Sequence, residues 1–470
     1  MSDPSDPSAP PAAPAPSDPS SARSRGWAAL WPDWVSHNMR IVLEARLAMS
    51  VSRAVAGVVT ALYLAAVGFS GLELGLLFLC VTVLSAILST GIGMVSDRVG
   101  RKRFLVAVPF LTAAAALVFA FTAAAPVLFV FASLGSLGRG QGAGANNVGP
   151  SQPAESALVA EAVPDDSRAA AFGRLAFVSS LGALVGGLLA GLATAGPHVT
   201  RAAATSAYRP AFLAAALFAA VAGILALGIG EPSGARAHDP ALGTGTSDES
   251  GSGPGSDSGS ARRIGHFRWP RSSWPALWRF WLTNGTNGLA IGMIGPFVSY
   301  WLFRRYGATP GTIGLLFALV NAGSLMSTLA AAGIARRLGT VKVISAVRAL
   351  TGVLLVPMVL APTFWLAGAV FFVRMLIQRV GLPLRQSFTQ DMADPEERAS
   401  LAALSNLPAQ GTMAGSQVLA GYLFDEVSLA APFELAAVVQ IVNAALYPIL
   451  FAWRPPRRAA TSTSRPLPEH

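Results

Sequence analysis

Apolar stretches long enough to cross a bilayer recur along almost the whole chain, and this feature limits its possible folds more than any other. One stretch runs from about Val58 to Ile92, and the next begins at Phe104. A helix of about 20 apolar residues crosses a hydrocarbon core of roughly 30 Å. Charged residues make up 12% of the chain, about half the roughly 25% of soluble domains. We therefore predict an all-α polytopic membrane protein.

The pattern predicts about twelve membrane-spanning helices in two sets of six. The first set covers about 44–67, 72–96, 103–124, 126–150, 169–194 and 208–230. The second covers about 277–303, 310–335, 340–361, 363–390, 399–424 and 432–453. The predicted domains are a disordered Pro/Ser-rich cytoplasmic tail (1–25), an N-terminal six-helix bundle (26–230), a flexible cytoplasmic linker (231–273), a C-terminal six-helix bundle (274–455) and a cytoplasmic tail (456–470).

Two short matches in the same order indicate that the halves are copies of one unit. YLAAVGFSGLELGLLF (63–78) aligns with WLFRRYGATPGTIGLLF (301–317), and EAVPDDSRAA (161–170) aligns with DMADPEERAS (391–400). Duplicated six-helix halves are typical of secondary transporters, which bind their solute where the halves meet.

Basic residues concentrate in loops on one side of the predicted membrane. They are Arg98, Arg101, Lys102 and Arg103 after the second span, Arg336, Arg337 and Lys342 after the eighth, and Arg454, Arg457 and Arg458 after the last. The positive-inside rule makes this side the cytoplasm and places both termini and the linker there. Arg304 and Arg305 are the exception, since they lie outside in this topology.

Several classes of function do not fit the residues. The net charge of +10 arises largely from the inner loops, so we expect no nucleic-acid partner. The five histidines are scattered, without the spacing of a metal site, and Cys80 reads as a small buried residue. No nucleophile–base pair or phosphate loop is present, so we expect no enzymatic activity and no cofactor. The expected partners are the lipid bilayer and a small organic solute, and we expect a monomer.

The charged segment GMVSDRVGRKR resembles the loop signature between the second and third helices of the major facilitator superfamily, Gly-x-x-x-Asp-Arg-x-Gly-Arg-Lys/Arg. The matching residues are Gly93, Asp97, Arg98, Gly100, Arg101 and Lys102. The resemblance implies that Asp97 braces the two halves in one conformation. It also implies a charge relay with the loop arginine and an acid at the end of the fourth helix, whose place Glu161 occupies. The alternative is that the loop only anchors the helices at the membrane surface.

The second half keeps part of this signature in GIARRLGTVK. Gly333, Arg337, Gly339 and Lys342 match, but Arg336 stands near the position of the aspartate and no acid is present. We therefore expect an asymmetric gate.

Two further fragments resemble drug and metabolite exporters of the same family. RGQGAG, which begins at Arg139, is similar to Arg-x-x-Gln-Gly-x-Gly, a stretch that some members use in proton coupling, although the glutamine comes one place early. GALVGG (182–187) is similar to the glycine motif of the antiporters' fifth helix, although it lacks the proline. Close helix packing is the alternative explanation of these glycines.

Charged residues inside the spans are the best indicators of a solute site, because each costs roughly 2.5–3.5 kcal/mol to insert. We expect Arg53 and Arg374 to face a central cavity and Arg46 to extend to the lipid headgroups. Gln378 and Arg385 share the helical stripe of Arg374. Further candidates are Asn146, Asn284, Asn287, Asn321 and Asn406, which could contact solute or connect helices. No acid falls within a predicted span away from its ends, which favours an anionic or neutral solute.

The sequence thus predicts a secondary transporter that works by alternating access and is ion-coupled, with a proton as the candidate ion. The exporter-like fragments favour efflux of an anionic or neutral drug or metabolite. The alternatives are an importer of the same fold and a non-transporting receptor or scaffold. Lysine occurs at two positions, Lys102 and Lys342, among 34 basic residues. This bias is typical of a GC-rich bacterial genome, so we expect the bacterial inner membrane.

Overall fold

The computed structural model describes residues 35–138, 149–164, 167–193, 199–230, 273–392, 401 and 404–451. Within these ranges, the side chains of 97–98, 169, 325–338, 382–383, 386–387 and 390–391 are not described. Every regular element in the described ranges is helical. The predicted tails (1–25 and 456–470) and almost all of the predicted linker (231–273) lie outside these ranges.

The N-terminal half contains seven α-helices in the described ranges. They are α1 (His37–Val67), α2 (Gly71–Val99), α3 (Arg101–Phe121), α4 (Ala125–Gly135), α5 (Gln152–Ala162), α6 (Arg168–Leu189) and α7 (Arg201–Leu227). Local sequence explains several boundaries. Ser70 and Glu73 form a capping box that starts α2. Gly100, at φ 100°, separates α2 from α3 by a single residue, a conformation that favours glycine.

The C-terminal half follows the same order of elements. Its helices are α8 (Trp274–Ile294), α9 (Val298–Tyr306), α10 (Pro310–Leu338), α11 (Thr340–Val353), α12 (Leu355–Leu360), α13 (Phe364–Asp391), α14 (Leu407–Glu426) and α15 (Ala431–Phe451). The seventh span is interrupted between α8 and α9, where Pro296 follows Gly295. The ninth is interrupted at Leu354, three residues before Pro357. Proline offers no amide hydrogen, which explains both interruptions.

The fourth span differs from the prediction of one helix over 126–150. Helix α4 ends at Gly135, and Ser136 adopts the left-handed conformation at φ 52°. The Leu137 amide then donates to the Ala132 carbonyl at 2.9 Å, the hydrogen bond of a Schellman termination. The predicted continuous helix is therefore wrong at this point; residues 139–148 lie outside the described ranges, and α5 begins at Gln152.

Eight helices in the described ranges are long and apolar enough to cross a membrane by length and composition. They correspond to α1, α2, α3, α6, α7, α13, α15 and the combined α11–α12 segment. The exterior is strongly apolar, with Ile87, Phe121, Leu217, Leu360 and Ile449 each more than 60% exposed. Such a surface suits a lipid environment. Cys80 is exposed on α2, so the expectation of a buried cysteine is wrong.

The helix contacts repeat between the halves. In the N-terminal half α1 packs on α6 and α7, and α3 packs on α7; in the C-terminal half α8 packs on α14 and α15, and α11 packs on α15. The two most extensive contacts between the halves are α2 with α14 and α6 with α10; α1 also contacts α9 and α10 across the interface. The first contact joins the second span to the eleventh, and the other joins the eighth span to the fifth. Exchanging the halves therefore converts one contact into the other.

Candidate functional site

The two halves contact each other at those helix ends that the predicted topology places outside. The carboxylate of Asp425, at the end of α14, accepts hydrogen bonds from the Gly71 and Leu72 amides at 2.8 Å each. These amides belong to the unpaired N-terminal turn of α2. The backbones also touch, since a Cβ on Gly421 would lie 2.2 Å from the Gly71 carbonyl oxygen.

Glycines make the second contact between the halves. A Cβ on Gly314 of α10 would lie 2.1 Å from the carbonyl oxygen of Gly187 in α6. Gly182 and Gly186 instead face α1, where a Cβ would lie 2.7 Å from the Leu47 oxygen and 2.4 Å from the Val51 oxygen, respectively. The fifth-helix glycines therefore allow close helix packing, both within the half and across it.

The opposite ends of α2 and α14 are separated. A Cβ built on Gly91, Gly411 or Gly415 meets no described atom within 4 Å. Gly93 approaches Pro153, which belongs to its own half. Among the described residues, the halves meet at the ends that the predicted topology places outside, and Gly91, Gly411 and Gly415 near the opposite ends make no such contact. With the predicted orientation this is an inward-facing arrangement.

The signature loop is described in part. Arg101 Nη1 lies 2.6 Å from Glu161 Oε2, so the first turn of α3 is paired with the last turn of α5. The Arg168 Nε donates to the Ala160 carbonyl at 3.0 Å and joins α6 to the same end of α5. Lys102 is half-buried. The side chains of Asp97, Arg98 and Arg337 are outside the description, so their proposed roles stay predictions.

A buried ion pair lies in the N-terminal half. Arg46 Nη1 is 2.9 Å from Glu155 Oε1, and Arg46 Nε donates to Ser179 Oγ at 2.6 Å. Arg46 is 7% exposed and Glu155 4%. The expectation that Arg46 extends to the headgroups is wrong, because a buried carboxylate compensates its charge. The expectation that no acid is embedded is wrong for the same reason.

Arg53 lies deeper on α1 and is half-buried. Its guanidinium packs against the chain just before α5, since a Cβ on Gly149 would lie 2.0 Å from Arg53 Nη2. Gly149 has φ 93°, so glycine is favoured there on both counts. Arg139 and Asn146, the other candidates from this region, lie outside the described residues.

A second buried polar cluster lies in the C-terminal half. Arg374 is 3% exposed, and its Nε donates to the Thr351 carbonyl at 3.0 Å. Arg348, 9% exposed, donates to the amide oxygen of Asn287. Arg374 and Gln378 line a small cavity with Ile291, Gly295 and Phe371. Arg348 is not among the site residues predicted from sequence, although Arg348 is a charge inside an apolar span, the same signal that identifies Arg374.

The remaining asparagines have different surroundings. Asn284 is buried and donates to the Ser405 carbonyl at 2.8 Å, so it connects α8 with the residues before α14. Asn321 is buried and donates to Phe317 of its own helix at 2.8 Å. Asn406 is exposed at the start of α14. Of these, Asn406 is the one placed on the open inner side.

Comparison with known proteins identifies the family. The sequence profile of the Major Facilitator Superfamily matches residues 45–285 and 280–469. No curated protein matches the sequence. Similar solved structures include a bacterial homolog of the human lysosomal transporter Spinster in an inward-facing, occupied conformation, with 14% identity, a TM-score of 0.63 and coverage of 89% of this chain and 97% of that one.

Two other structures are similar over comparable lengths. The nucleoside transporter NupG has 11% identity and a TM-score of 0.63, covering 89% of this chain and 100% of its own. A bacterial metal transporter has 15% identity and a TM-score of 0.61, with coverage of 89% and 100%. Identities this low show the fold, and the profile match shows the family. The predicted all-α, two-half polytopic fold is confirmed, and the chain is a non-enzymatic membrane transporter that belongs to the Major Facilitator Superfamily.

Proposed function

We propose that the protein is a secondary active transporter that exports an anionic or neutral drug or metabolite by alternating access, coupled to an ion for which the proton is the candidate. The observation that supports this most directly is the arrangement of the two contacts between the halves. Both lie at the ends that the proposed topology places outside, both bring backbone together at glycines, and they are equivalent under exchange of the halves. Rocking of one half against the other would open both together.

The gate on the inner side is formed, in this proposal, by the signature loop. Arg101 and Glu161 hold the start of α3 to the end of α5, so the loop moves with the N-terminal half as a unit. Asp97 would engage the C-terminal half when the inner ends close. The missing acid near Arg337 leaves the other half without an equivalent device, and the gate is asymmetric.

The solute passes between the halves, and we assign its contacts to residues of the central helices. They are Arg53, Asn284, Asn287, Asn321, Arg374, Gln378 and Asn406, with Arg139 and Asn146 assigned to solute or proton coupling. Arg53 of the N-terminal half and Arg374 of the C-terminal half supply the positive charge of the site. The protein is placed in a bacterial inner membrane with both termini in the cytoplasm, and we expect it to act as a monomer.

The proposal is tested by flux measurements in proteoliposomes. A library of labelled anionic and neutral metabolites and drugs would be screened for uptake into vesicles with an imposed pH gradient. Flux of the active solute should fall at least about tenfold in Arg53→Ala and in Arg374→Ala, as expected for loss of a charge-assisted contact. Arg304→Ala, a change at an exposed outer position, is the control.

Two results would reject parts of the proposal. Unchanged flux in both arginine variants would eliminate the assigned site. Binding of a solute without flux in either direction would favour the receptor or scaffold alternative. The sign of the pH gradient that accelerates flux separates export from import.

A further inference from the structure

We propose that Arg348 and Arg374 together bind the anionic group of the transported solute, a carboxylate or a phosphate, inside the C-terminal half. This inference rests on the proposed transport function and narrows its substrate class, because it excludes neutral solutes. It adds Arg348 of α11 to the residues already assigned.

Arg348 and Arg374 lie among the same three helices, α8, α11 and α13. Arg348 is directed to α8 by its hydrogen bond to Asn287. Arg374 of α13 is directed to α11 by its hydrogen bond to the carbonyl of Thr351, which lies one turn beyond Arg348. Thr351 Oγ1 donates to the Arg348 carbonyl at 3.1 Å.

The charge of this pair is not balanced by the described part of the protein. No described carboxylate lies within 4.0 Å of either guanidinium; the described ion pairs are Arg46–Glu155 and Arg101–Glu161. The groups that Arg348 and Arg374 contact are an amide oxygen, a main-chain carbonyl and a thioether sulfur. These solvate a cation but do not neutralise it.

The N-terminal half provides an internal comparison. Its buried Arg46 has a buried carboxylate as its partner, as expected when a charge is removed from water. The C-terminal half buries Arg348 and Arg374, as well as Arg379, and the contacts described for Arg348 and Arg374 are with neutral acceptors. Two like charges in a low-dielectric interior repel each other strongly, and an anion supplied from outside would compensate both.

The shape of the neighbouring cavity indicates which part of a solute it takes. The cavity is small, with room for about one water molecule. It lies at the Gly295 break between α8 and α9, with the Gln378 amide and the Arg374 guanidinium on one wall. Guanidinium groups bind carboxylate and phosphate through two parallel hydrogen bonds. In the proposal only the charged group enters this space beside Arg374, and the remainder of the solute lies between the halves.

The test measures equilibrium binding to the full-length protein in lipid nanodiscs by calorimetry. The probes are benzoate, succinate and inorganic phosphate, with benzamide as the neutral counterpart of benzoate and sodium chloride at matched ionic strength. The variant is Gln378→Glu, which places a carboxylate one turn from Arg374 and supplies the missing charge without removing an arginine. Gln152→Glu, an exposed position in the other half, is the matched control.

We expect benzoate or succinate to bind the wild-type protein and Gln152→Glu equally, and benzamide not to bind. Affinity should fall at least about tenfold in Gln378→Glu, the size expected for losing one charge-assisted hydrogen bond. Binding of phosphate alone, weakened in Gln378→Glu, would support a phosphate as the anionic group. The inference would be overturned if neither an organic anion nor phosphate bound, if chloride alone bound, or if Gln378→Glu bound like the wild type. Binding that follows the expectation together with absent flux would reject the transport proposal and leave this site standing.

Discussion

Single charged residues carry much of the information about function in this chain, but their partners depend on the fold. The cost of placing a charge in a bilayer identifies Arg53 and Arg374 from sequence, and it applies equally to Arg348 in the run VISAVRALTGVLL. Glu155 gives no such signal. It lies in the first turn of α5, which begins at Gln152, and this position places it against Arg46. Sequence patterns do not locate the start of α5.

Replacing Glu155 by Ala is expected to lower the free energy of unfolding by about 3–5 kcal/mol, because Arg46 would remain buried without its counter-charge. The measurement is unfolding of the purified protein by titration with a denaturing detergent. The double replacement Arg46→Met with Glu155→Leu should recover most of the loss, since an apolar pair of similar size needs no compensation.

The control for this prediction is the second ion pair of the same half. The side chain of Glu161 is 45% exposed in its pair with Arg101. Replacing Glu161 by Ala should therefore lower the free energy of unfolding by at most about 1 kcal/mol, as for other exposed ion pairs. Equal losses for the two glutamates would show that burial of the Arg46–Glu155 pair is not what determines its contribution.

At the scale of helices, apolar length predicts which segments cross the membrane but not whether they are continuous. The start of α2 is readable from the Ser70–Glu73 pattern and the end of α1 from Gly68. The interruptions near Pro296 and Pro357 fall inside stretches that we predicted as single helices, since the hydropathy of those stretches continues across them. The end of α4 at Ser136 is harder to predict, because the local sequence around it contains no residue that requires a left-handed conformation.

The contact between Asp425 and the start of α2 is expected to stabilise the inward-facing arrangement. Asp425→Ala removes a side chain that caps another helix across the interface, and such caps contribute about 0.5–2 kcal/mol. The ratio of outward-facing to inward-facing molecules should rise by up to about 30-fold, the equivalent of 2 kcal/mol. Spin labels at Ala124 and Ser428, both exposed at the outer ends, should report longer distances in a Cys80→Ser background.

Glu426→Ala is the matched control, because this neighbouring acid is exposed and makes no polar contact among the described residues. It should leave the distance distribution unchanged. If Asp425→Ala gave the same distribution as Glu426→Ala, the interhelical cap would have no part in setting the equilibrium.

For the whole molecule, the sequence predicts two related halves from a few short matches, and the repeated helix contacts agree with that reading. Such matches do not predict which conformation the protein adopts. Inward-facing and outward-facing arrangements use the same helices and differ in which ends of α2, α14, α6 and α10 meet. Such states commonly differ by only a few kcal/mol, which no local pattern in the sequence encodes.

The strongest test of alternating access is to join the outer ends covalently. A Cβ on Gly71 would lie 3.1 Å from the Cβ of Phe424, slightly inside the 3.5–4.5 Å typical of disulfides. The Cβ on Gly71 would also lie 2.8 Å from the Gly421 carbonyl oxygen and 2.8 Å from Asp425 Oδ1, so α2 and α14 must shift apart to admit it. After this shift, Gly71→Cys with Phe424→Cys, in a Cys80→Ser background, should form a disulfide on oxidation. Because the outer ends could no longer part, flux in proteoliposomes should fall to the level of empty vesicles and return when the disulfide is reduced. Solute binding from the inner side should persist. Each single-cysteine variant should keep its flux under oxidation, and flux through the cross-linked protein would exclude rocking of the halves as the transport mechanism.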